Sequence, residues 1–164
     1  MDRQAVSANT VTPPAEQRGA SDEDPGRTPY QMLGDRGIRD LANAFYDVMD
    51  ALPEAAPIRA MHARDLGNVK RMLAAWLTQW MGGPPVYLAI KGSVCLTAPH
   101  APYAIGPAER DLWLRCMDLA LERVGASDEL KTMLREPLRR VADTVRNRDQ
   151  STTRSRDPNI IAVG

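Results

Sequence analysis

Apolar residues recur at three- and four-residue spacing through almost the whole middle of this chain, and only one stretch, from Val86 to Tyr103, loses that period. A stripe from Ile38 through Leu41, Phe45, Tyr46 and Met49 to Leu52 predicts a helix over 36–52 that Pro53 ends. A second stripe runs from Leu66 through Val69, Leu73, Trp76 and Trp80 to Met81, and Gly82-Gly83-Pro84-Pro85 stops it by glycine cap and proline block. Between them, PEAAPIRAMHARDL reads as a short helical turn and a corner carrying His62 and Asp65. Gly106-Pro107 starts a third helix, with Glu109 and Asp111 near the positive end of its dipole. Its stripe is Trp113, Cys116, Met117, Ala120 and Val124. After Gly125, Ser127 can cap a last helix through Leu130, Leu134, Leu138 and Val145, with a kink expected at Pro137. The stretch Val86–Tyr103, with Gly92, Pro99 and Pro102, reads as a loop with room for one helical turn. Strand signals are nearly absent. The fold class is therefore all-α, two long helix pairs separated by an irregular segment that a plain bundle does not need.

The chain has 164 residues, 43% hydrophobic, which suits one core rather than two. All eight aromatic residues lie between Tyr30 and Trp113, so the folded body is expected at 28–147. Residues 1–27 and 148–164 are polar enough to read as a flexible arm and a flexible tail. The 21 Lys and Arg balance the 21 Asp and Glu, so no overall field draws the chain to nucleic acid or anionic lipid. No stretch of about 18 apolar residues predicts a membrane span. The opening MDRQAVSANTVTPP lacks the apolar run of a leader peptide, and two unpatterned cysteines, Cys95 and Cys116, fit a reducing compartment, so the expected location is the cytoplasm. Cys95 is expected to serve as a small buried hydrophobe.

The same inventory bounds the chemistry. His62 and His100 are the two histidines of the chain, and with the two cysteines they show neither paired C-x-x-C nor H-x-x-x-H spacing, which argues against a structural zinc site. No GxxxxGK[ST] loop, GxGxxG turn or GxSxG elbow occurs. A haem remains compatible, because its iron needs a single axial imidazole from the protein.

Five segments follow one another in a telling order: FYD at 45 to 47, MH at 61 to 62, LTQWMGGPPVY from 77, His100, and IGPAERDLWLRCM from 105. In this order the chain resembles a group II truncated haemoglobin, a bacterial-type 2-on-2 globin, from about Tyr30 to Asn147. The resemblance implies a two-over-two helical sandwich, in which the helix at 36–52 pairs with that at 66–81 and the last two helices pair with each other. It further implies haem b (iron protoporphyrin IX) between the pairs, with His100 as the axial iron ligand. On the opposite side of the haem it implies Tyr46 and Trp113 as hydrogen-bond donors to a bound gas, with His62 near that ligand. Val69, Leu73, Trp76 and Tyr103 are the remaining expected haem contacts. The pattern departs ahead of His100, where LTAPH sets Thr97 and Pro99 in places the family gives to basic residues. Lys91, Arg64, Lys70 and Arg71 are the nearby cations that could serve the haem propionates instead.

Taken without the resemblance, each of these positions has a plainer reading. His100 between two prolines suits either a ligand-presenting turn or an ordinary surface loop. Tyr46 and Trp113 lie on stripes where an aromatic ring is most often core, and His62 suits a half-exposed corner. Three functions stay open on this evidence. The first is reversible binding of dioxygen or another diatomic ligand. The second is an enzyme, a nitric oxide dioxygenase or peroxidase-like activity supported by a reductase. The third is a haem-free helical interaction module. Oligomeric state is open as well.

Overall fold

The structure, a computed structural model, describes residues 26–150. The arm expected at 1–27 and the tail at 148–164 therefore lie, but for 26–27 and 148–150, outside the described residues. Among the described residues there is no strand. The helices are α1 (Pro29–Ala51), α2 (Ala56–Arg59) after a 3₁₀ turn at Pro53–Ala55, α3 (Gly67–Trp80), α4 (Val86–Lys91), α5 (Thr97–His100), α6 (Pro107–Arg123) and α7 (Asp128–Val145).

α1 starts seven residues earlier than its apolar stripe predicts. Thr28 accepts the Gln31 backbone N–H at 3.2 Å while its own N–H donates to the Gln31 side chain at 2.8 Å, a reciprocal cap that starts the helix ahead of Tyr30, Met32 and Leu33, which are partly buried against the core. Gly34, at φ 67° and ψ 172°, breaks this first turn away from the buried stripe, which begins at Ile38. At the other expected boundaries the chemistry acts as read. The Ser127 hydroxyl accepts from Leu130 N–H at 3.2 Å, and the Glu109 carboxylate takes the Gly106 N–H at 2.9 Å at the head of α6. The helical run of α7 continues through Pro137.

The Gly82-Gly83 pair does more than stop α3. A Cβ on Gly83 would lie 2.6 Å from Tyr30 Cδ2 and 2.7 Å from the Thr78 carbonyl oxygen, so only glycine lets the end of α3 close against the start of α1. The Tyr30 N–H then donates to the Met81 carbonyl at 3.0 Å and joins the two helices there.

The segment from Val86 to Tyr103 holds two helical pieces where the sequence predicts a loop with room for one turn. α4 is six residues long, stopped by Gly92 in the left-handed conformation (φ 68°), and α5 is a single turn in which Pro99 sits early enough to need no N–H donor. Elements this short span too few residues for a period to show. Cys95, expected to be buried, is exposed in the turn between them, whereas Cys116 on α6 is buried.

α1 packs against both α3 and α6, and α6 packs against α7, giving the two-over-two sandwich. Its core takes Ile38, Leu41, Phe45 and Met49 from α1, Leu77 from α3, Met117 and Leu121 from α6, and Leu130 and Leu134 from α7, all at most 2% exposed. Each such side chain contributes about 1.5–3 kcal/mol on burial. Arg110 on α6 and Asp143 on α7 add an ion pair at 2.7 Å.

Candidate functional site

α1 buries Tyr46 beside Phe45, their rings meeting edge to face at 5.0 Å, and Trp113 of α6 leans on the same Phe45 at 5.3 Å. The His62 ring closes this group from the corner after α2, 5.4 Å from Tyr46 and nearly perpendicular to it. Tyr46, Trp113 and His62, far apart in sequence, are thus brought together. Tyr46 is 7% exposed, and burial pushes its phenol pKa up to about 12, so the group stays a protonated donor across the physiological range. Among the described residues neither its hydroxyl nor the Trp113 indole N–H has a hydrogen-bond partner, and neither atom is walled in by protein.

The corner that carries His62 is tied down by Arg59. Its guanidinium bonds Asp50 at 2.7 Å and the carbonyls of Ala63 and Arg64 at 3.0 and 3.2 Å. The His62 Nδ1–H donates to the Ile58 carbonyl at 2.8 Å, leaving Nε2 as an acceptor. Burial holds the imidazole below its ordinary pKa despite that bond, and the charges of Arg59 and His100 push in the same direction. A surface hollow of about 560 Å³ also borders His62, with Met49, Leu52, Pro53 and Arg64 in its wall, but Tyr46, Trp113 and His100 do not line it.

His100 ends α5. Its Nδ1–H donates to the Leu96 carbonyl one turn back, at 2.6 Å, so the half-buried ring keeps the Nε2 lone pair free. Its own carbonyl accepts from the Asn147 side chain at 3.3 Å, a contact from the far end of the described chain.

The other expected site residues are more dispersed. Trp76 is buried on α3 and stacks on Trp80 at 5.1 Å rather than on the Tyr46 group. Val69 and Leu73 are partly buried on the same helix, packed against the core. Tyr103 is 40% exposed, and its ring makes no aromatic contact among the described residues. Of the cations, Lys70 is taken by Asp47 at 2.7 Å and Arg71 by Asn68 at 3.3 Å, whereas Arg64 and Lys91 form no ion pair among the described residues. No group of three His, Cys, Asp or Glu side chains among the described residues could hold a bare metal ion. Asn147 escapes sequence reasoning altogether. It opens a polar run with no period and no motif.

A family profile described as bacterial-like globin matches residues 28–147. A Bacillus subtilis (strain 168) protein named group 2 truncated hemoglobin YjbI is 32% identical over 127 residues, covering 77% of this chain and 94% of that protein. Among solved structures, a group II 2-on-2 hemoglobin from the plant pathogen Agrobacterium tumefaciens is 38% identical with a TM-score of 0.71, over 78% of this chain and 98% of its own. A cold-adapted truncated hemoglobin from the Antarctic marine bacterium Pseudoalteromonas haloplanktis TAC125 gives 31% and 0.71, over 74% and 99%.

Proposed function

The chain belongs to the bacterial-like globin family and is a group II truncated haemoglobin, and from that premise we propose that it holds haem b through His100 and reversibly binds a diatomic gas, dioxygen first. One observation carries the reading: with Nδ1–H fixed on the Leu96 carbonyl, the opposite ring nitrogen is the one offered to a metal, which is how an axial imidazole is oriented. Haem, when bound, supplies the ferrous iron at which such a gas coordinates.

The rest of the site supports the same assignment by its donor set. Tyr46 and Trp113 each bring an O–H or N–H with no protein partner, beside the Phe45 ring, so each is available to a gas carrying partial negative charge. A net bond of about 1 kcal/mol from each slows release of the ligand. His62, as an acceptor held at its corner, borders the same space. Val69, Leu73 and Trp76 offer an apolar wall from α3, and Tyr103 an outer edge. Arg64 and Lys91 are the cations left to meet the propionates. A reductase that returns the iron to the ferrous state is the expected protein partner. No described helix is long and apolar enough to cross a membrane. The two free cysteines, Cys95 and Cys116, support work in the reducing cytoplasm.

Purified protein given haem should develop a Soret band that shifts on reduction and again under carbon monoxide. His100→Gly should lose the axial imidazole signature and regain it when free imidazole is added. No Soret band, or a His100→Gly spectrum identical to the parent, defeats the reading.

A further inference from the structure

His100 ends a helix of one turn, and the segment after it, 101–106, has no regular element of its own. So short a helix supplies little rigidity by itself. The restraint comes from beyond α7. The Asn147 side-chain Nδ2 donates to the His100 carbonyl at 3.3 Å and to the Tyr103 carbonyl at 2.8 Å, and its Oδ1 accepts the Ile105 N–H at 3.0 Å. Its backbone N–H, with that of Arg148, donates to the Ile105 carbonyl at 3.0 and 3.1 Å. One carboxamide thus bonds the start, middle and end of the segment. Its orientation is fixed by chemistry: turned over, the oxygen would face two carbonyls and the NH₂ would face an N–H.

We propose that Asn147 is a positioning residue for the proximal imidazole, an inference that rests on His100 being the axial ligand. The Asn147 side chain bonds backbone atoms of the segment and not the His100 ring. It holds the His100 carbonyl, and with it the backbone from which the ring is aimed, while the Leu96 carbonyl holds the ring itself. No other side chain of the described residues bonds this segment at both ends. The side chain needs two donors and one acceptor on a single short stem, and asparagine alone supplies them.

The test is resonance Raman spectroscopy of the ferrous, ligand-free, haem-loaded full chain, reading the iron–imidazole stretching band. Asn147→Ala removes all three side-chain bonds to the segment, so the band should shift and broaden, and haem release should speed up about tenfold or more. Asn147→Asp keeps the size, sets a carboxylate against two carbonyls, and should shift the band more at neutral pH. Acidification should partly restore it, because a protonated carboxyl returns one donor, whereas the parent band should stay fixed over that range. Should Asn147→Ala fail to fold, the aspartate variant and its pH dependence carry the test. An unmoved band and unaltered haem release, with only a lower Tm, would make Asn147 a plain stability residue and overturn the inference. If the parent loads haem and His100→Gly abolishes its band while both Asn147 variants leave it alone, this inference fails by itself. If the parent loads no haem, the functional reading fails and takes this one with it.

Discussion

Tyr46 combines deep burial, an unpartnered hydroxyl and a phenol pKa pushed up to about 12. Replacing it with Phe deletes one donor while keeping the ring, so dioxygen should leave the haem-loaded Tyr46→Phe protein about five- to thirtyfold faster by stopped flow, the equivalent of 1–2 kcal/mol. The same residue sets a stability limit at high pH. The folded chain keeps a proton on Tyr46 that the unfolded chain gives up near the ordinary tyrosine pKa of about 10, so this contribution is whole below that pH and is lost as pH climbs towards 12. Denaturant titrations should show Tyr46→Phe losing less stability than the parent over that interval, by up to about 3 kcal/mol. Little of this is legible from position alone, since Tyr46 and Trp113 occupy the same stripes as Phe45 and Cys116. The order of FYD, GGPPVY and ERDLWLRCM distinguishes them, because a motif order carries information that a period does not. Asn147 sits in a polar run where neither signal exists, and its role depends on the fold bringing it to His100.

At the level of elements, the close approach of α1 and α3 rests on Gly83. Gly83→Ala should cost about 1–3 kcal/mol in thermal or denaturant unfolding, because its Cβ would meet the Tyr30 ring and a backbone carbonyl that cannot retreat. The corner after α2 depends on one guanidinium that serves Asp50, Ala63 and Arg64 together. Arg59→Ala should therefore raise protease cleavage around 60–66, and Arg59→Lys should recover little, since an ammonium cannot span that fork. The long helices are legible because α1, α3, α6 and α7 each repeat their apolar residues often enough to fix a period. α4 and α5 are not, being built from proline brackets and a glycine stop. The first turn of α1 hides for another reason: Thr28 and Gln31 start it by hydrogen bonding, ahead of any buried residue.

Across the whole molecule, a ligand that fits only the folded state raises its stability by mass action, so haem should lift the Tm of the parent chain and lift that of His100→Ala much less, as calorimetry with and without haem will show. α1 is shared property, pressed on one side by α3 and on another by α6. Neither half of the sandwich can peel off while the other survives, because each would expose part of the same helix. Unfolding should then be all-or-none, without a half-open species lingering between. An injury deep in that common wall, such as Phe45→Ala at a cost of about 3–5 kcal/mol, should be felt at once by every probe placed on the helices from α1 to α7.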